Sequence, residues 1–312
     1  MSELLSGLSG VDVIIDDILV HGKNDQEHDK NLAAALHRIH NAGLKLNPDK
    51  CEFKKDKIEY FGHTISPHGI EPSSGRVEAI QDMAPPTNVT ELRRIVGMIN
   101  YLGRFIPRLA SIIKPMTDLL KESNAWGWDT AQELAFSQVK KLITEAPSLT
   151  FYDQTKPIVV SADASSYGLG GALFQEENGN LKPVAFCSRK LTKPEENYAQ
   201  IEKECLASIW ACEKFSRYLV GLESFRLLTD HKPLVPLINS QDLNNSPLRC
   251  QRMLMRLRGF SLKAEHVPGK NIVVPDTLSR SPLEHGKFEF VEEIECYAIS
   301  IDTLRPIADS RL

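Results

Sequence analysis

The sequence predicts a mixed α/β (α+β) protein, and three observations support this class. Residues 11–22 place two β-branched runs around an Asp-Asp pair, a pattern typical of a tight hairpin. Residues 87–146 carry apolar side chains at helical spacing, whereas residues 157–188 contain three strand-like runs separated by turns. A chain of 312 residues is long enough for roughly two domains.

The first predicted segment, residues 1–86, combines short strands with one helix. After the hairpin, apolar residues at helical spacing predict a helix from Asp25 to Ala42. Short strands are expected at 51–53 and 58–65, and Pro85-Pro86 marks the end of the segment.

The second predicted segment, residues 87–150, is a small all-helical region. Asn88 and Glu91 have the spacing of a capping box, so a helix is expected to begin there. A second helix is expected through residues 112–120, and a third is expected to open at residues 126–128.

The third predicted segment, residues 151–282, is a mixed α/β domain. Three antiparallel strands come first, and Asn178-Gly179 is the predicted hairpin turn between the second and third. The remaining expected elements are a long helix over 195–219, a strand over 225–229, a short helix over 233–238, a basic helix over 247–259, a strand over 261–266 and a helix over 275–280.

Charge is distributed unevenly along the chain. The formal net charge is −4, which by itself argues mildly against a nucleic-acid partner. Residues 283–312, predicted to be an acidic linker or tail, carry all of this excess, and basic groups concentrate at 92–121 and 244–270. A nucleic-acid partner therefore stays open. No apolar run approaches the length of a membrane helix, so no membrane partner is expected.

Four acidic residues of the third segment are candidate metal ligands. Three lie at the end or start of a predicted element, and the fourth lies inside the long helix. Asp163 ends the first strand of the third segment, Glu204 lies within the long helix, Asp230 ends the fourth strand, and Asp276 begins the last helix. Carboxylates that converge from different elements can hold two Mg²⁺ ions, which prefer oxygen ligands. Taken singly, each has an ordinary alternative: a turn, a helix cap or a solvated helix position.

Four motifs containing these acids resemble the ribonuclease H domain of gypsy-type LTR-retrotransposon polyproteins. They occur in order as Asp163–Leu173, Tyr198–Ala207, Leu228–Leu234 and Pro268–Arg280. The resemblance implies that Asp163, Glu204, Asp230 and Asp276 bind two Mg²⁺ ions, with Mn²⁺ as an alternative, and that the RNA strand of an RNA–DNA hybrid is cut. It also implies that His266 assists product release, although a half-buried histidine at a strand end is an equal alternative.

The first half of the chain resembles a reverse transcriptase. Residues 15–20 are similar to its Tyr-x-Asp-Asp hairpin, residues 44–51 and 60–66 to the end of the palm and the primer-gripping hairpin, and residues 92–120 to the thumb and connection helices. The resemblance implies an incomplete palm, polymerase metal ligands at Asp16 and Asp17, and a template–primer partner.

Two departures from the polymerase pattern affect the expected activity. Ile14 stands where the motif has tyrosine, and residues 1–10 contain no aspartate that could supply a third carboxylate. A two-metal site needs such a ligand, so we expect no DNA synthesis by this chain alone.

Basic residues in two helices are candidate contacts to nucleic acid. Arg249, Arg252 and Arg256 fall at helical spacing and, with Arg258, could contact a phosphate backbone without reading sequence. A solvated helix face is the alternative. Arg104, in the thumb-like region, is a weaker candidate of the same kind.

The sequence thus predicts a metal-dependent endonuclease of the ribonuclease H type within a retroelement polyprotein fragment, with other parts of that polyprotein, such as integrase or protease, as further partners. A different class stays open: a catalytically inactive remnant that binds nucleic acid. A third hypothesis is one piece of a longer reading frame, in which residues 11–86 lack half of their sheet and expose a strand edge.

Overall fold

The computed structural model describes residues 1–240 and 246–268. The described chain groups into two compact units, one of residues 1–78 with 148–153, the other of residues 79–147 with the described part of 154–268. Both contain helices and strands, so the predicted mixed α/β class is confirmed. None of the described helices combines the length and hydropathy that a membrane crossing needs. The predicted division into segments 1–86, 87–150, 151–282 and 283–312 stays a prediction.

The first unit contains a two-stranded hairpin and a three-stranded antiparallel sheet, with helices beside them. Its elements, followed by the helix that leads into the second unit, are α1 (Ser2–Leu5), β1 (Val11–Ile14), β2 (Asp17–Val20), α2 (Asp25–Asn41), β3 (Ile58–Tyr60), β4 (His63–Ser66), β5 (Gly69–Pro72) and α3 (Ser74–Gln81).

Local sequence explains most of these elements. The β1–β2 hairpin and α2 are confirmed, and the side chain of Asn24 caps α2 by accepting a hydrogen bond from the Glu27 backbone N–H at 2.9 Å. The predicted strand at 51–53 is wrong, because a 3₁₀ turn over Pro48–Lys50 precedes irregular chain there. The single strand predicted over 58–65 is instead two strands, since Phe61-Gly62 turns the chain through the left-handed region.

The helices of the second unit begin with α4 (Val89–Tyr101), α5 (Leu109–Ile112), α6 (Lys114–Asp118) and α7 (Thr130–Thr144). The predicted cap of α4 is confirmed, because the Asn88 side chain accepts a hydrogen bond from the Glu91 backbone N–H at 2.9 Å. The helix predicted over 112–120 is divided. Pro115 lacks a backbone N–H and so fits the first turn of a new helix better than the interior of a longer one.

A five-stranded mixed sheet forms the centre of the second unit. Its strands are β6 (Ile158–Ala164), β7 (Gly168–Glu177), β8 (Asn180–Lys190), β9 (Phe225–Thr229) and β10 (Leu262–His266), in the spatial order β10-β9-β6-β7-β8. The three strands β6, β7 and β8 pair antiparallel, whereas β9 runs parallel to both β6 and β10. Asn178-Gly179 forms the predicted turn, with both residues at positive φ.

The helices around this sheet are α8 (Lys193–Glu196), α9 (Gln200–Lys214), α10 (Ser216–Leu219), α11 (Leu234–Asn239) and α12 (Leu248–Leu257). The continuous helix predicted over 195–219 is therefore three helices. Helix α9 packs against β6 and β7. It approaches closely at Gly171, where a Cβ atom would lie 2.9 Å from the Ala211 Cβ. The helix predicted over 275–280 lies outside the described residues.

Candidate metal centre

Three of the four predicted acidic ligands converge at one edge of the five-stranded sheet. Because β6 and β9 are parallel neighbours, Asp163 near the end of β6 and Asp230 just after β9 reach the same edge. Helix α9, packed on β6, contributes Glu204. One carboxylate oxygen from each residue lies within 4.8 Å of the other two. The fourth predicted ligand, Asp276, lies outside the described residues.

Glu204 is the most deeply placed of the three carboxylates, with 3% of its surface exposed. Its Oε1 accepts a hydrogen bond of 2.6 Å from Nε2 of Gln200, one helical turn earlier. Its Oε2 is buried and has no hydrogen-bond partner in the described part of the chain. A buried oxygen without a partner is costly, and a bound cation would satisfy it.

The electrostatics of the cluster disfavour three negative charges in the absence of a cation. Burial, and then the charges of Asp163 and Asp230, raise the pKa of Glu204 to about 8, against a smaller lowering by the Gln200 hydrogen bond. Burial also raises the pKa of Asp163; the Arg108 guanidinium opposes this shift, and the charge of Asp230 adds to it. The metal-free cluster therefore holds a proton at neutral pH, which a divalent cation would displace.

The donor set fits a hard divalent cation. All three groups are carboxylates, which such ions prefer, and one buried oxygen of Glu204 has no hydrogen-bond partner among the described residues. In the described residues, this is the one group of three or more acidic, histidine or cysteine side chains close enough to share an ion.

Two residues near the cluster were not found by sequence reasoning as members of the site. Arg108, in the turn before α5, contacts Oδ2 of Asp163 through its Nη2 atom. Gln200 orients Glu204, as described above. The only sequence signal for Gln200 is its position four residues before Glu204 on a helix. Arg108 belongs to the basic stretch 92–121, a weaker candidate contact to nucleic acid, but nothing in the sequence pairs it with Asp163.

His266 occupies a position beside the cluster. It is the last residue of β10 and pairs in register with Thr229, which immediately precedes Asp230. The side chain is exposed rather than half-buried. Its assignment to product release stays a prediction.

The predicted basic face of α12 is partly neutralised by acidic residues of α9. Arg249 pairs with Glu202 at 2.7 Å, and Arg256 donates two hydrogen bonds, of 2.8 and 2.6 Å, to Glu213. The other two arginines of the set, Arg252 and Arg258, are exposed.

Arg104 lies apart from that face, in the 3₁₀ turn Leu102–Phe105. It is half-buried, and its guanidinium carbon lies 5.7 Å from the centre of the Phe105 ring. Its predicted contact with nucleic acid stays a prediction.

The two aspartates predicted as polymerase ligands lie at the β1–β2 turn. Asp16 is in the turn, Asp17 is the first residue of β2, and both are exposed. Within the described range, no third acidic, histidine or cysteine side chain forms a shared group with them.

Two family models match parts of the chain. Residues 4–65 match reverse transcriptase (RNA-dependent DNA polymerase), and residues 128–227 match the RNase H-like domain found in reverse transcriptase. The second match includes Asp163 and Glu204 and ends just before Asp230.

Retrotransposon polyproteins are similar along most of the chain. The retrovirus-related Pol polyprotein from transposon opus of Drosophila melanogaster is 35% identical over 281 residues, covering 86% of this chain and 28% of the relative. The Pol polyprotein from transposon 297 of the same organism is 37% identical, and the match covers 88% of this chain and 25% of the relative. The transposon Tf2-3 polyprotein of Schizosaccharomyces pombe is 32% identical, and the match covers 85% of this chain and 20% of the relative. The chain thus spans about a quarter of the length of these relatives.

Solved structures of a foamy viral protease-reverse transcriptase have a similar fold. The form named dRH, in complex with double-stranded DNA, gives a TM-score of 0.73 at 24% identity, and the match covers 88% of this chain and 48% of that one. The protein in complex with an RNA/DNA hybrid gives a TM-score of 0.70 at 22% identity, and the match covers 93% of this chain and 39% of that one. The family models and the polyprotein relatives support a retrotransposon polyprotein with reverse transcriptase and RNase H-like parts, and the solved structures support the fold.

Proposed function

We propose that this chain is a metal-dependent endonuclease that cuts the RNA strand of RNA–DNA hybrids, within a gypsy-type retrotransposon polyprotein. The observation that carries this proposal is the convergence of Asp163, Glu204 and Asp230, with one buried Glu204 oxygen that has no hydrogen-bond partner among the described residues. Such a cluster of carboxylates is suited to bind divalent cations. The four ordered sequence motifs resemble those of ribonuclease H domains and so suggest cleavage of an RNA–DNA hybrid.

The residues of the cluster have separate parts in the proposed mechanism. Asp163, Glu204 and Asp230, joined by Asp276, would hold two Mg²⁺ ions. When bound, these ions would activate a water molecule and stabilise the leaving oxygen of the phosphodiester. Gln200 donates a hydrogen bond to one Glu204 oxygen and so helps to hold that carboxylate in place. Because burial and the neighbouring aspartates raise the pKa of Glu204, loading of the site would require this residue to release a proton and would depend on pH.

The hybrid would be held by its phosphate backbone and shape rather than by its sequence. Arg252 and Arg258 are exposed on and just after α12, and Arg249 and Arg256 could join them by exchanging a carboxylate for a phosphate. His266 is exposed beside the end of β9. In this proposal its role is to assist release of the cut strand.

The first unit is proposed to lack polymerase activity by itself. Asp16 and Asp17 are exposed, and no third ligand joins them in the part of the chain that the structure describes. Extension of a labelled primer on an RNA template, with Mg²⁺ and nucleotides, should therefore give no product. Extension by the purified chain would refute this part of the proposal.

The nuclease proposal is tested with a panel of labelled substrates of one sequence: RNA–DNA hybrid, double-stranded RNA, double-stranded DNA and single-stranded RNA. We expect cleavage of the hybrid RNA strand with Mg²⁺ or Mn²⁺, and none after chelation. Hybrid binding without metal-dependent cleavage would overturn the proposal in favour of a binding remnant, and equal cleavage of all four substrates would overturn the assigned specificity.

A further inference from the structure

Arg108 brings a positive charge into direct contact with a member of the acidic cluster. Its Nη2 atom contacts Oδ2 of Asp163, and both residues belong to the same compact unit. The Arg108 side chain is 37% exposed and that of Asp163 is 18% exposed, so the pair lies at the mouth of the cluster rather than inside the core. A small pocket beside the pair is lined by Pro107, Ser161 and Gly170–Ala172.

The backbone at Arg108 has an uncommon conformation. Its φ of 52° lies in the left-handed region, which residues other than glycine, asparagine and aspartate rarely adopt. The side chain then passes Gly170 so closely that a Cβ atom there would lie 3.2 Å from Cγ of Arg108. Gly170 lacks this atom and leaves the space that the arginine stem uses.

Hydrogen bonds hold the chain just after Arg108 on the sheet. The Ala110 backbone N–H donates to Oγ of Ser188 at 3.0 Å, and the hydroxyls of Ser111 and Ser165 lie 3.3 Å apart. Ser165 follows Asp163 by two residues, and Ser188 of β8 pairs in register with Gly170 of β7. The turn is therefore fixed at the edge of the sheet where the acidic residues meet.

This contact occupies one carboxylate oxygen of Asp163, a member of the acidic cluster. An arginine stays charged at any pH that proteins tolerate, so its guanidinium and a divalent cation compete for the same carboxylate. A cation bound to Asp163 would displace the guanidinium, which would stay beside the cluster on a partly exposed side chain. Its planar array of N–H donors matches two oxygens of a phosphate group.

We propose that Arg108 is a substrate-binding residue of the metal centre: it contacts Asp163 in the metal-free chain and contacts a phosphate of the bound nucleic acid once metal is present. The inference rests on the proposed nuclease function. The helical region before the sheet would then contribute a substrate-binding residue to the site.

The proposal predicts opposite effects of one substitution on two measurements. Asn tolerates the left-handed region, so Arg108→Asn removes the charge while keeping the turn. Without nucleic acid, the variant should bind Mn²⁺ about tenfold more tightly in calorimetric titration, because one positive charge near the ion is gone. In Mg²⁺-dependent hybrid cleavage, its KM should rise about tenfold, because a charge-assisted contact to phosphate is lost.

Two variants serve as controls. Arg226→Gln removes an arginine of similar exposure (40%), which pairs at 2.6 Å with Glu176 on the same sheet, outside the acidic cluster. It should leave both Mn²⁺ affinity and KM near wild-type values. Arg108→Lys keeps the charge and should bind Mn²⁺ within about threefold of wild type.

The outcomes separate this inference from the proposed function. If wild type binds Mn²⁺ in a manner that Asp230→Asn abolishes, but Arg108→Asn binds it no more tightly, the role of Arg108 is refuted while the metal centre stands. Unchanged KM in Arg108→Asn would also refute it. If wild type and Asp230→Asn bind Mn²⁺ equally weakly, the metal centre itself is refuted.

Discussion

The crowding of three carboxylates should make the metal-free chain less stable as pH rises. Glu204 has a pKa of about 8 in the folded chain, against an ordinary value of 4.5. Between these values the folded chain holds a proton that the unfolded chain has released, so the free energy of unfolding falls as pH increases. Glu204→Gln cannot ionise and keeps a similar shape, and it should remove this pH dependence.

The size of the effect follows from the pKa difference. A difference of roughly 3.5 pH units, at about 1.4 kcal/mol each, corresponds to at most about 5 kcal/mol once the pH exceeds both values. We expect Glu204→Gln to raise the free energy of unfolding by about 2–5 kcal/mol at pH 8.5 and by little at pH 5.

Urea unfolding in the presence of a chelator, at pH 5, 6.5 and 8.5, measures this directly. Glu213→Gln, an exposed position on the same helix, is the control and should change stability by no more than about 1 kcal/mol at each pH. The reasoning fails if the stabilisation by Glu204→Gln is the same at pH 5 and pH 8.5. It also fails if the variant is no more stable than wild type at the higher pH.

Three further predictions concern packing and charge. Gly171→Ala should lower the free energy of unfolding in urea by about 1–3 kcal/mol, because its Cβ would overlap neighbouring atoms. Gly97→Ala has open space in α4 and should be neutral or stabilising. Equal effects of the two substitutions would contradict the packing described at Gly171. Phe136→Ala should cost about 3–5 kcal/mol because the ring is fully buried, and a loss below 1 kcal/mol would contradict that. Glu202→Gln should tighten hybrid binding at low salt by releasing Arg249, with a steeper salt dependence, and unchanged binding would argue against a role for that arginine.

Local patterns in the sequence were sufficient where one short segment determines the structure. Asn178-Gly179 specifies its turn because both positions need positive φ, and Asn88 specifies the start of α4 because its side chain satisfies a backbone N–H. The strand over 225–229 was predicted with its observed bounds, since a run of apolar and β-forming residues is bounded there by turn residues.

Tertiary contacts explain what the sequence could not predict. The breaks within 195–219 interrupt a region whose apolar spacing continues, so periodicity alone reads it as one helix. The pairing of Arg249 with Glu202 joins residues 47 positions apart, and only the packing of α12 on α9 brings them together. Arg108 reaches Asp163 through a strained turn held on the sheet by hydrogen bonds, which has no counterpart in residue spacing.

The three acidic residues were found from sequence because recurring motifs mark them, yet their convergence depends on topology. Asp163 and Asp230 meet because β6 and β9 are parallel neighbours, and Glu204 joins them because α9 packs on that sheet. The motifs pointed to the residues, and the strand order explains why they lie close together.

Cleavage of a labelled RNA–DNA hybrid by wild type and Asp230→Asn, side by side with Mg²⁺, is the decisive measurement. Asp230 is exposed, so the substitution should leave the fold intact, as circular dichroism can verify. We predict that wild type cuts the RNA strand and that the variant is slower by about a hundredfold or more, because one carboxylate of the metal centre is lost. Equal rates in the two proteins, whether both cut or neither does, would contradict the assignment of the acidic cluster as a nuclease site.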